Sequence, residues 1–387
     1  MARDPPGLAR AAPTAHDARA MRLLFVSHSF PPLGAPLDNV GGMQRVATEL
    51  HDALSTRDDV ALRTLALRSS WKDVHKKAVP FLVGLVPRLL LEARRHRADT
   101  VLFTSMTTAL PALFAGPALQ RQGLRVGAIA HGLDVTETNP AYQAAIGRLC
   151  RSLDVFLPVS RATRQQLIER GAPPERVIVV PNAVDVDRFA GPTDGVINGA
   201  PPLADDAFLL VTVGRQVKRK GFAWFVEHVM PRLPERAVFW LAGDGPERGA
   251  IEAAIARAGL EARVRCLGKI DEPSLLALYR RGALFLMPNV VVPGDMEGFG
   301  IVMLEAGVTG LPTVAADLEG IRDVITEGVN GWFAPTGDAE AFATRIRGLM
   351  ADPDALAAAR ERTRAHVNAT FTWDATAERT LAALRGA

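Results

Sequence analysis

The chain of 387 residues has only two cysteines, Cys150 and Cys266. Two thiols so far apart form neither a spaced metal-ligand pattern nor a disulfide framework. A zinc scaffold and a stapled secreted fold are therefore not expected, and a reducing compartment fits. Charge of one sign is not in excess either: 45 Lys and Arg stand against 42 Asp and Glu, a net charge of +3. Without a concentrated basic face, nucleic acid is not expected as a partner. Long apolar runs are also lacking. A membrane-spanning helix needs about 18 consecutive apolar residues, and the best stretch, 79–91, is interrupted by Pro80, Pro87 and Arg88. Residues 1–20 are biased to Ala, Pro and Arg and contain no apolar core of signal-peptide length. They are expected to form a mobile tail, with Met21 as an alternative start, in a cytoplasmic protein.

Apolar residues make up 48% of the chain, enough for two buried cores. At roughly 100–200 residues per domain, this length favours two domains. Short β-branched runs alternate with helical patterns. Strands are expected at 23–26, 100–103, 126–130, 155–159 and 177–180. A helix opens at Gly41-Gly42, with Met43, Val46, Ala47, Leu50 and Leu54 spaced by threes and fours. The Gly-, Pro- and Asp-rich stretch 191–206 reads as a linker. A second series follows, with strands at 208–213, 238–241, 264–267, 284–287 and 313–315 and helices including 301–308 and 339–350. The expected organisation is a first Rossmann-like domain over 21–190, a second over 207–370, and a last helix in 371–387 packing back on the first. The fold class is α/β: two doubly wound parallel sheets facing each other across a cleft, with ligands beyond the carboxyl ends of the strands.

Four groups of residues stand at such strand ends. In 297–306, Glu297 lies on a loop and Glu305 lies eight positions later, inside a helix. Gly298 and Gly300 between them let backbone approach a ligand, and the helix start offers free N–H groups to a phosphate. Glu305 suits vicinal ribose hydroxyls, and Glu297 suits sugar hydroxyls. In 213–222, Arg215 and Lys220 can reach a diphosphate, where charge builds as a sugar leaves. Lys218 and Arg219 read as a solvated basic loop. Gly41 and Gly42 permit close approach to a phosphate from the first domain. His131, followed by Gly132, ends the 126–130 strand and can line the cleft.

These elements in this order, with 181–185 and 242–247 between them, make the chain resemble the family-four retaining glycosyltransferases of the GT-B fold over about residues 22–370. The resemblance implies transfer of a hexose from a nucleoside-diphosphate sugar, UDP-glucose-like or GDP-mannose-like, to an acceptor hydroxyl. The donor acts as co-substrate, with no cofactor and no required metal. It further implies that Glu297 binds donor sugar hydroxyls, Glu305 the ribose, and Arg215 and Lys220 the diphosphate. Backbone N–H groups of Gly298, Phe299, Gly300 and Ile301 serve phosphate and sugar, Gly42 meets the distal phosphate, and His131 meets the sugar. Lys269 and Ile270 fall where family members hold the base. The glycine loop departs from the family pattern through an insertion over 33–40.

Asp185 and Asp187 superficially match an acidic metal motif, but nothing nearby completes a set of oxygen ligands. A retaining glycosidase needs carboxylates about 5 Å apart, closer than an eight-residue loop-to-helix separation suggests. A nicotinamide oxidoreductase needs an early glycine fingerprint that 27–42 lacks. A non-catalytic sugar-nucleotide-binding protein and a sugar-nucleotide epimerase are the alternatives. The acceptor is a glycan, a lipid-linked sugar or a small molecule. Apolar residues of 79–91 beside Arg94, Arg95 and Arg97 offer peripheral contact with the inner membrane face, although their near-continuous run favours burial.

Overall fold

The computed structural model describes residues 20–32, 42–193 and 195–386; the sequence-predicted tail, Gly41 and the 33–40 insertion lie outside the described residues. The first half contains β1 (Met21–Phe30), α1 (Gly42–Ser55), β2 (Val60–Arg68), α2 (Trp71–His96), β3 (Thr100–Phe103), α3 (Ala112–Arg121) and β4 (Arg125–Ala130). It continues through α4 (Leu133–Thr136), α5 (Pro140–Ser152), β5 (Val155–Pro158), α6 (Arg161–Glu169) and α7 (Val186–Ala190). The strands form one parallel sheet in the order β2-β1-β3-β4-β5. Along β1, Leu23 and Phe25 enter one apolar cluster while Leu24 and Val26 enter another. Alternate side chains are thus buried on both faces, which is why this strand reads as a continuous apolar run.

The second half comprises β6 (Phe208–Val213), α8 (Phe222–His228), β7 (Ala237–Ala242), α9 (Arg248–Ala258), β8 (Val264–Gly268), α10 (Glu272–Arg281) and β9 (Leu284–Met287). After these come α11 (Ile301–Val308), β10 (Thr313–Ala316), β11 (Gly331–Ala334), α12 (Ala339–Ala351), α13 (Pro353–Thr370) and α14 (Trp373–Arg385). Its parallel sheet runs β11-β10-β9-β6-β7-β8. Relative to β6 as the first strand, this is the 3-2-1-4-5-6 doubly wound order read from the opposite edge. The first sheet has the other common order, 2-1-3-4-5. The order reverses between β6 and β9 in one sheet and between β1 and β3 in the other. In doubly wound sheets, ligands bind beyond the strand ends at such points.

Two expectations need correction. The 177–180 segment is not a ladder strand. It meets β5 through a single bridge at Val177, with Ile178 and Val180 N–H groups reaching carbonyls of Phe156 and Pro158. Strands β2 and β11 escaped the sequence reading; β2 is an edge strand with mostly half-buried side chains, so its hydrophobic signal is diluted. Helix α2 runs through both Pro80 and Pro87. Each proline removes one helical hydrogen bond, but both rings face solvent, where water can satisfy the freed carbonyls.

The described part of 191–206 contains no helix or strand. Helix α14 lies against α1, its Thr376 hydroxyl donates to the Pro181 carbonyl at 3.1 Å, and Arg385 pairs with Asp59 at 2.9 Å. One apolar cluster continues from Phe25 and Leu157 through Leu381 to Phe299 and Met303, so the two sheets share a core beside the cleft.

Candidate active site

The crevice of the second sheet is built from the loops that follow β6 and β9. Between Val213 and α8 the chain makes a short 3₁₀ turn, Lys218–Lys220, closed by Gly221 at φ +67°. A Cβ on Gly221 would stand 2.0 Å from the Pro288 carbonyl oxygen, so only glycine lets the two loops meet. That meeting carries Lys220, 5% exposed, beneath the β9 loop, with its Nζ 2.6 Å from Glu297 Oε2. The same carboxylate oxygen accepts from Asn289 Nδ2 at 3.1 Å. Arg219 lies 3.6 Å from it and pairs with Asp295 at 2.8 Å. Burial pushes the Glu297 carboxyl up, but Lys220 and Arg219 outweigh it and hold the group below the ordinary carboxylate range. Glu297 is therefore a fixed, buried anion, suited to accept hydroxyl hydrogen bonds.

The turn that follows is pressed against the first domain. A Cβ on Gly298 would fall within 1.7 Å of the His131 carbonyl oxygen, and one on Gly132 would stand 2.9 Å from Gly298 Cα. His131 Nε2 lies 2.8 Å from the Thr104 carbonyl, which can only accept, so Nε2 carries a proton. The His131 main-chain N–H donates to Asp134 at 2.8 Å, and Asp134 also accepts from Met106 N–H at 3.0 Å. His131 thus has a structural anchor and an oriented ring at the cleft.

Gly300 caps α11 at φ +90°, leaving the first N–H groups of that helix without helical partners. Phe299 turns its ring into the core, edge-on to Phe371 at 6.2 Å, and Ile301 is half-buried against the same cluster. Phe299 therefore offers only backbone to the crevice. One turn further along, Glu305 is 3% exposed; Tyr279 donates to its Oε2 at 2.9 Å, and Arg45 of α1 pairs with its Oε1 across the cleft. Burial and the neighbouring Glu305 raise the Tyr279 hydroxyl well above its ordinary range, so it acts as a donor.

Other sequence-predicted residues sit at the rim. Arg215 is exposed and forms no ion pair with a described residue. Lys269 is exposed and Ile270 half-buried just past β8, the edge strand two places from β6. Gly42 opens α1 facing open space. Asp185 is the N-cap of α7, accepting from Arg188 N–H at 3.2 Å. Among the described residues no group of three His, Cys, Asp or Glu could hold a metal.

Sequence reasoning missed five groups. Arg219, expected to be solvated, faces Asp295 and Glu297. Asn289, two residues past β9, and Glu319, three past β10, fall at strand ends where the crevice rule would have found them. Arg45 lies in the first turn of α1 and Tyr279 in the last turn of α10, and neither carried a signal.

Residues 207–352 match the family Glycosyl transferases group 1, and residues 40–188 match Glycosyltransferase Family 4. The chain is 27% identical over 227 residues to the amylovoran biosynthesis glycosyltransferase AmsK of Erwinia amylovora, covering 57% of this chain and 54% of that one. It is 27% identical to a GDP-mannose-dependent phosphatidylinositol monomannoside mannosyltransferase of Mycolicibacterium smegmatis, covering 87% of this chain and 91% of that one. It spans little more than half of the first relative's length and nearly all of the second's. Among solved structures, the Anabaena HepE protein in complex with UDP and glucose superposes with a TM-score of 0.71 at 18% identity, covering 95% of this chain and all of that one. That likeness gives the architecture, two doubly wound domains in the GT-B arrangement. Since family matches occupy both halves and meet at this cleft, the chain belongs to the glycosyltransferases of the group 1 and family 4 type.

Proposed function

We propose that the protein is a retaining, metal-independent hexosyltransferase that moves a sugar from a nucleoside-diphosphate donor, UDP-glucose-like or GDP-mannose-like, to an acceptor hydroxyl. The observation that carries this reading is the buried Lys220–Glu297 pair at 2.6 Å at the point where the strand order reverses. One face of that pair presents a cation for the diphosphate and the other an anion for sugar hydroxyls. With the donor bound, Lys220 and Arg215 stabilise charge that grows on the departing diphosphate, and the α11 N–H groups supplement them. The carboxylates serve as binding groups: Glu297 is committed to Lys220 and Asn289, and Glu305 to Tyr279 and Arg45. Lys269 and Ile270, two strands away, suit the base end of an extended donor. Across the cleft, the reversal point of the first sheet gathers His28, whose Nδ1 lies 2.6 Å from the Thr108 hydroxyl, with Ser105 beside it. This polar cluster suits an acceptor hydroxyl. The mannosyltransferase relative acts with GDP-mannose by its name, and the HepE structure holds UDP; both donor bases therefore belong in the trial. The test is release of nucleoside diphosphate from a donor panel, with and without acceptors, before and after exhaustive chelation. Activity is expected to survive the chelator. Release that stops on chelation and returns with magnesium or manganese would remove metal independence; hydride or epimer products would remove transfer itself.

The reading extends to an acceptor at an anionic lipid surface. The 79–91 stretch is striped, contrary to its sequence pattern: Leu85 and Leu89 are buried, while Val79, Val83 and Leu91 are exposed. Exposed Lys76, Lys77, Arg88, Arg94 and Arg95 flank them on α2, and α3, packed alongside, adds the exposed Phe114. Apolar side chains ringed by cations suit an interface with anionic headgroups. No helix among the described residues is long and apolar enough to cross a membrane. Anionic liposomes are expected to float the protein at low salt and release it at high salt; absence of flotation at low salt would leave a water-soluble acceptor.

A further inference from the structure

We propose that Glu319 is a positioning residue that sets the backbone of the Glu297 turn, an inference that rests on the proposed transferase reading for its link to turnover. Glu319 follows β10 and adopts φ +47°, one of only two non-glycine residues with positive φ among those described. A side chain at that φ is strained, and a glycine would sit there freely. What the glutamate provides is its carboxylate: Oε2 accepts the Glu297 main-chain N–H at 2.6 Å. The next residue closes the arrangement. A Cβ on Gly320 would stand 2.0 Å from the Gly298 carbonyl oxygen, and the Gly320 N–H donates to the Glu297 carbonyl at 3.1 Å. Two consecutive residues thus grip the 297–298 peptides from below, while His131 and Gly132 bound them from the other side of the cleft.

The grip is held against opposing forces. The charged groups facing Glu319 are the carboxylates of Glu297 and Asp295 and the guanidinium of Arg219. Partial burial, with the nearby carboxylates adding to it, raises the Glu319 carboxyl above its ordinary range. An anion kept at a strained backbone position beside two other anions is poor for stability alone. Its single gain is an oriented Glu297 N–H, and with it the aim of the Glu297 side chain toward Lys220 and of the following N–H groups toward the crevice. Glu319 touches no reacting atom in this scheme; it acts through the turn.

The test compares Glu319→Gly, which relieves φ and removes the acceptor, with Glu319→Gln, which keeps an acceptor oxygen and loses the charge. Amide exchange at Glu297 in the ligand-free protein reads the grip directly. It is expected to accelerate at least about tenfold in Glu319→Gly, the equivalent of one hydrogen bond to a charged group, and to remain within about threefold of wild type in Glu319→Gln, whose neutral acceptor makes the weaker bond. Thermal midpoints of both variants are expected at or above wild type, while kcat falls about tenfold in the glycine variant with donor KM little changed and is mostly restored in the glutamine variant. Unaltered Glu297 exchange in Glu319→Gly, or a kcat that falls equally in both variants, would overturn the proposal. If the wild type transfers no sugar, the function reading fails, and the exchange data still decide the positioning role.

Discussion

Lys220→Ala is expected to lower kcat by about two to three orders of magnitude while weakening donor binding far less, the loss typical of removing one preorganised group from developing charge. The reason lies in where the lysine sits. Lys220 is buried, is held by a turn that only Gly221 permits, and is 2.6 Å from Glu297. In the proposed transfer, its position needs no rearrangement as charge moves onto the diphosphate. Arg215→Ala, at an exposed position without an acidic partner, is expected to lower kcat by a smaller factor and to leave stability unchanged. The pH dependence separates the lysine's two duties. Glu297 has a depressed pKa, so the pair stabilises the fold above the unfolded carboxylate value of about 4.3, and that stabilisation is lost as pH falls through the folded value. Without Lys220, burial is opposed chiefly by Arg219, and the Glu297 carboxyl moves up. The acid limb of kcat should shift to higher pH, and the stability deficit of the variant should shrink at low pH. Parallel losses of donor affinity and kcat would show that Lys220 serves binding alone, and an unshifted acid limb would show that it does not hold the Glu297 carboxyl down.

The sequence made much of this site legible, for physical reasons that also explain the gaps. Strands buried on both faces, such as β1, β6 and β9, announce themselves as apolar runs, and the rule that ligands meet their carboxyl ends then picks out Lys220, Glu297 and His131 without any contact being known. Glycines forced by close approach, Gly221 and Gly298, are visible as letters, but their reason, a carbonyl of a distant loop, is not. The half-buried edge strand β2 lacked the pattern. Arg219 looked like its neighbour Lys218 because nothing in a run of three cations says which will turn inward; that choice is made by Asp295, 76 residues later. Glu319 was hidden because a positive φ is not written in a glutamate. Arg45 was hidden because a charged residue on an amphipathic helix is ordinarily solvated, and its partner lies 260 positions away.

That last pair carries the second large effect. Arg45→Ala is expected to cost about 3–5 kcal/mol of stability, the penalty for leaving a buried charge without its partner. Glu305 is 3% exposed and would keep the Tyr279 hydroxyl as its hydrogen-bond donor, with Arg188 the nearby cation that still opposes its charge. Glu49, one turn along α1, adds to the deficit: burial pushes its carboxyl up to about 7, and Arg45 is the first charge that opposes this rise. Because Arg45 comes from the first domain and Glu305 from α11, the same contact ties the two halves at the cleft. The diagnostic variant is the double one. Glu305→Gln removes the buried charge while Tyr279 still finds an oxygen, so Arg45→Ala combined with Glu305→Gln should regain most of the stability lost in Arg45→Ala alone, a strongly non-additive cycle. Donor affinity should not return with it. If Glu305 accepts ribose hydroxyls, its amide replacement loses hydrogen bonds to a charged group, about 1.5–3 kcal/mol of binding whether Arg45 is present or not. Urea melts would read the first effect and calorimetry with the donor the second. Additive destabilisation would dismiss the ion pair as a structural tie, and wild-type donor affinity in Glu305→Gln would remove the carboxylate from the ribose.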